Sequence, residues 1–118
     1  MNLELMVKAY IAAALWSTSL DGLEAMDNQY SADDLSPEAK QRMSEDCERF
    51  WQENAADLAV VGEVSTGHDF WLTRNRHGAG FWDRGLGELG ERLTEAAHAV
   101  GGCDLYVGDD GKLHLQVG

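Results

Sequence analysis

The chain has 118 residues, 44% of them hydrophobic, with 21 acidic against 9 basic side chains and a formal net charge of -12. That length and apolar share suit one domain with its own core and exclude a disordered chain. The charge argues against nucleic acid and anionic membrane as partners and favours a protein partner with a basic surface. It is unevenly spread, with 13 acids and 4 bases up to Thr66 but 8 acids and 5 bases from Gly67 onward. The longest apolar run, Tyr10 to Trp16, is too short for a bilayer and lacks the basic flank of a signal peptide, so a cytoplasmic address is expected. Cys47 and Cys103 read as buried free thiols, and neither sits in zinc-ligand spacing.

Residues Leu3 to about Leu20 read as a helix. Met6, Tyr10, Ala13 and Ser17 form one stripe, widened by Leu3, Val7, Ile11, Ala14 and Leu20, so this helix should be covered on more than one side. A polar connection leads to Ser36, a good N-cap, followed by Pro37 at the first helical position and Glu38 where the helix dipole favours an anion. The second helix then carries Ala39, Met43, Cys47, Phe50 or Trp51, and Leu58 inward. Glu38, Glu45, Asp46, Glu48 and Glu53 are left as an acidic surface.

After a Gly/Ser/Thr segment near residues 62–67 the pattern alternates, Phe70 and Leu72 against Trp71 and Thr73, which predicts a strand. "NRHG" supplies turn residues and "AGFWD" a returning strand. Leu86 to Val100 forms a third helical stripe with a Glu88–Arg92 pair, closed by Gly101 and Gly102. "CDLYV" and "KLHLQV" flank a "GDDG" turn as a second hairpin. The expected fold is a single α+β domain over residues 1–118, in the order α-α-β-β-α-β-β. Its helices would pack on one face of a four-stranded, mainly antiparallel sheet. Residues 1–66 are the acidic helical part, and 67–118 supply hairpin, helix and hairpin.

The chemistry concentrates in "GHDFWLTRNRHGAGFWDRG", Gly67 to Gly85. His68, Trp71, Arg74, Arg76, His77, Trp82 and Arg84 are the candidate partner- or ligand-binding residues. Guanidinium forks grip carboxylate or phosphate, and indoles offer flat faces for stacking. His68 and Asp69 invite a general-base reading, but adjacent strand residues point to opposite faces and should not meet. A zinc site from His68, His77 and a carboxylate such as Asp83 is the metal alternative; no cofactor is expected. "GAG" lacks the strand and crossover of a phosphate loop, "GLGELG" has its glycines interrupted by Leu and Glu on a helix start, and "DDG" reads as a turn.

The segment "GHDFWLTRNRHGAGFWDRGLGELGERLTEAA", with "DLYVGDDG" and "YSADDLSPEAKQRMSEDCERFWQENAADL", resembles a family of small acidic bacteriophage and prophage proteins. The resemblance covers most of the chain. It implies an accessory protein acting inside a bacterial host and carries over no catalytic residue. Arg76 stands where that family more often has a small residue. The leading expectation is therefore an interaction protein without catalysis, modulating a host or defence protein through an acidic surface that imitates nucleic acid. The rivals are a nucleic-acid or phosphate-ligand binder using the Arg/Trp hairpin, and a metal-dependent or hydrolytic enzyme using His68 and His77.

Overall fold

The computed structural model describes residues 1–117, and in it α1 runs over Leu3–Ser17, capped by the Asn2 side chain accepting from the Leu5 N–H. A minimal ribbon follows, β1 (Ser19–Leu20) paired antiparallel with β2 (Glu24–Ala25). Next come α2 (Pro37–Glu53), α3 (Ala55–Val61), α4 (Glu63–Arg74) and α5 (Glu88–Val100), then β3 (Cys103–Val107) and β4 (Leu113–Val117). Single 3-10 turns at Met26–Asn28, Ala32–Asp34 and Phe81–Asp83 fill the connections. Among the described residues no helix is long and apolar enough to cross a membrane.

The domain is α+β, but the four-stranded sheet is not there. The strands form two separate two-stranded ribbons, β1-β2 and β3-β4. The expected hairpin over residues 67–85 is instead the body of α4, a loop, and the 3-10 turn Phe81–Asp83. The physical reason lies in burial. Asp69, Phe70, Trp71, Leu72, Thr73 and Arg74 are all buried, consecutively, so α4 has no solvent stripe at its C-terminal end to print a 3.6-residue period. Phe, Trp and Thr are β-formers by propensity, and here tertiary packing overrides that preference.

α4 lies along α1, and Gly67 is what permits the approach. A Cβ there would overlap the Met6 carbonyl oxygen of α1, so the glycine is a contact surface in the middle of a helix. Tyr10 of α1 meets Trp71 edge-on at 5.3 Å and lies 5.3 Å from Phe70, which in turn stacks on Phe50 of α2 at 4.0 Å and 7°. Phe81, from the 3-10 turn, closes the cluster 5.9 Å from Phe50. The start of α2 is as the sequence predicts, with Ser36 Oγ accepting from the Ala39 N–H and Pro37 in the first turn. The Ser36 N–H also donates to the Leu113 carbonyl at 2.8 Å, tying the β3-β4 hairpin to α2. That hairpin buries Cys103, Leu105 and Leu113 against the helices. Arg92 does not take up Glu88; it makes a two-pronged pair with Asp57 of α3 at 3.0 and 2.9 Å.

"NRHG" is a helix end in place of a hairpin turn. Arg76 has φ +56°, its N–H donates to the Thr73 carbonyl, and the His77 N–H donates to the Leu72 carbonyl. This pair of bonds is a Schellman cap, whose left-handed position favours glycine. Arg76→Gly is therefore expected to stabilise the fold by about 1 kcal/mol, read as a rise of a few degrees in Tm.

Burial also decides the cysteines. Both are free and buried; burial pushes both thiols up, Cys47 far up, with the neighbouring Asp46 adding to the effect there. Burial raises Tyr10 as well. A folded-state value above the unfolded one means the unfolded chain sheds protons first as pH rises, so stability is intact below the ordinary thiol range and falls above about pH 8.5. Denaturant midpoints should decline from there upward, and a disulfide reagent at pH 8 should label neither cysteine until the chain is unfolded.

Candidate functional site

The seven side chains expected to form one binding surface are divided between the interior and the surface. Arg74 is in the interior, 2% exposed. Its Nη1 donates to Asp46 Oδ2 and to Tyr10 Oη, both at 2.9 Å, and its Nε donates to the Gly101 carbonyl at 2.8 Å. Asp46, expected on the acidic surface, is buried as this arginine's counter-ion, with Arg42 Nε on its other oxygen at 3.0 Å. The four groups join α1, α2, α4 and the residue after α5. Trp71 is likewise interior, donating through Nε1 to Ser17 Oγ at 2.9 Å. Neither Arg74 nor Trp71 is placed to grip an external ligand.

The second group lies at the surface, where α4 faces the loop that follows it. Asp69 is buried, and Arg84 reaches back to it with Nη2 to Oδ1 at 2.8 Å and Nε to Oδ2 at 3.1 Å. The Asp69 hydrogen bond, opposed by some burial, raises the Arg84 pKa. His68 Nδ1 is 3.3 Å from Asp69 Oδ1, so the adjacent pair does meet. The expectation that it would not rested on a strand; on a helix, neighbours are separated by a third of a turn and a ring can fold back to the next carboxylate. Trp16, which sequence reasoning passed over, lies with its ring 6.2 Å from that of His68. A groove of about 590 Å³ opens beside these groups. Arg76, His77 and Trp82 are exposed, His77 lining a small cleft with Trp16 and Ala79. Among the described residues no three His, Cys, Asp or Glu side chains come close enough to hold a metal ion, which removes the metal site built on His68 and His77.

The third region is the cleft between α1 and α2, about 840 Å³. Leu3, Val7 and Ile11 recur every four residues along the α1 wall. The α2 wall is polar and carries Glu45 and Glu48, with Lys40 nearer its start. Glu38, Glu45, Glu48 and Glu53 are exposed as expected of an acidic face, though Arg42 and Arg49 share the helix. Exposed carboxylates also line α5 at Glu88, Glu91 and Glu95. The acidity therefore belongs to the whole surface, and it is the cleft that distinguishes α2 from α5. The α1 stripe was legible in the sequence; that it would be left half-open beside Glu45 and Glu48 was not, because only the crossing of two helices makes a groove.

No family model matches the chain, and no curated protein or solved structure shows significant similarity to it.

Proposed function

We propose that the chain acts as an interaction protein, receiving a basic amphipathic segment of a partner protein in the cleft between α1 and α2. The observation that carries this reading is the cleft's two-sided chemistry, an apolar α1 ladder of Leu3, Val7 and Ile11, edged by Glu4 and Lys8, facing an α2 wall on which Glu45 and Glu48 outnumber Lys40. An amphipathic helix docks in such a groove through residues spaced three and four apart, and its flanking Lys or Arg would meet the α2 wall. The net charge of -12 steers basic surfaces toward the chain and repels polyanions. Arg74, one of the three arginines expected to hold nucleic acid, is buried on Asp46, which weakens that rival. The resemblance to small phage and prophage proteins points to a host or phage protein as the partner, one whose basic surface ordinarily meets nucleic acid.

The experiment compares wild type with Glu45→Lys/Glu48→Lys as bait in a bacterial lysate at about 50 mM and about 500 mM salt. A partner held by wild type at low salt, released at high salt and lost by the double variant is the expected result. Capture that is equal for both baits, or indifferent to salt, contradicts the reading.

A further inference from the structure

We propose that the second groove, where α1, α3 and α4 meet the loop carrying Arg84, is a binding site for a small amphiphilic carboxylate. Its apolar body would lie on the alanine and valine walls and its single negative charge on Arg84. The groove is separate from the α1/α2 cleft and uses another face of α1, contributing Ala9 and Ala12. Val60 and Val61 come from α3, Val64 from α4, and Leu86 from the loop beyond Arg84. At about 590 Å³ it falls within the size of ordinary small-molecule sites, which are mostly apolar with a few convergent polar groups.

The polar end is built. Asp69 has its side chain 3% exposed and both oxygens occupied, so it holds other groups in place and is closed to a ligand itself. It fixes the Nε and Nη2 edge of Arg84, whose side chain is 40% exposed, leaving Nη1 without a partner among the described residues. An arginine whose fork is already oriented loses little freedom when it binds a carboxylate. His68, braced through Nδ1 on the same Asp69, leaves Nε2 without a partner among the described residues, and Ser65 stands one turn earlier on α4.

Charge narrows the ligand class. Asp69 neutralises much of Arg84, Asp83 adjoins it, and the chain as a whole carries -12. A phosphate or dicarboxylate would meet that field with two or more charges, whereas a monocarboxylate meets it with one and recovers the apolar burial. The exposed side chains Val60 and Val64, 71% and 53% accessible, are the surface such a body would cover.

The test is titration of the full chain with octanoate and, separately, with 1-octanol, following the methyl resonances of Ala9, Ala12 and Val64. Octanoate should shift these methyls with a Kd on the order of 0.1–1 mM, typical of so small a ligand. Octanol, lacking the charge-assisted hydrogen bond, should bind at least about tenfold more weakly. Val64→Glu fills the mouth with a like charge and leaves the Asp69–Arg84 pair untouched; with Tm within a few degrees of wild type, it should abolish the octanoate shifts. Equal binding of octanol removes the anion site. Absent shifts at these methyls, or undiminished octanoate binding by Val64→Glu, overturn the proposal, and the wild-type comparison decides alone if that variant does not fold. Lysate capture through the α1/α2 cleft is unaffected by either outcome, so this inference and the proposed function fail separately.

Discussion

Asp46→Ala should cost about 3–5 kcal/mol and lower Tm by more than about 10 °C, the penalty of leaving a buried charge without its partner. Arg74 cannot escape to water, because its side chain is 1% exposed and its Nε is held at the Gly101 carbonyl. The arithmetic of such pairs is asymmetric. Taking both ions out of water costs nearly what their attraction returns, so replacing both together with apolar groups of similar volume is far milder than removing one. Asp46→Leu combined with Arg74→Met is accordingly expected to recover most of the lost stability, apart from the Tyr10 hydroxyl and the Gly101 carbonyl, each left without its Arg74 donor. Urea midpoints on the three proteins check this. A single variant as stable as wild type would mean the guanidinium reaches solvent and the interior network is misassigned.

Gly67→Val should be nearly as damaging, and its sign is diagnostic. In an ordinary exposed helix interior, replacing glycine stabilises, by about 0.5–1 kcal/mol for alanine. At Gly67 any Cβ runs into backbone, the Met6 carbonyl oxygen of α1, which has no rotamer to change. Alanine should cost about 1–3 kcal/mol, as overpacked cores do, and valine more, because two helices must separate or shift along each other. Gly78→Ala is the control: an added Cβ there meets nothing within 4 Å, so Tm should stay within a degree or two. If Gly67→Ala stabilised the protein, α1 and α4 would not be in contact along this face.

The legible parts of this fold are those where one face meets water. α2 announces its start through Ser36 and Pro37 and its inner face through Ala39, Met43, Cys47 and Phe50. α5 buries Leu93 and Ala97 within its expected stripe, and the β3-β4 ribbon pairs about its Asp-Asp-Gly turn. α4 was illegible for the opposite reason. Its last six residues are all covered, so alternation of large and small side chains carries no information about periodicity, and β-forming aromatics point the wrong way. Arg76 compounds the misreading by standing at a left-handed cap where glycine would have marked a helix end.

The site was half legible by the same logic. Residue types in Gly67–Gly85 single out unusual chemistry, but charge on paper does not distinguish an arginine facing solvent from one facing Asp46, 28 positions away. What decides between them is the helix. It turns Arg74 toward Tyr10 and brings His68 and Asp69 together, and it leaves Arg84 reaching back from the loop. Trp16 and the α1 ladder of Leu3, Val7 and Ile11 belong to an element that reads as core throughout. That Trp16 is exposed and Leu3 and Val7 half-buried, while Ile11 is covered, follows only from how few helices surround α1.

Side-chain-resolved NMR on labelled protein tests the whole account most directly, through the Cα shifts of residues 67–74 and contacts from the Arg74 guanidinium. Helical shifts, with cross-peaks from Arg74 to the Tyr10 ring and slowly exchanging guanidinium protons, are what a buried arginine at the crossing of α1, α2 and α4 requires. Extended shifts over the same residues, or an Arg74 in rapid exchange with water, would return the segment to a surface ribbon and contradict it.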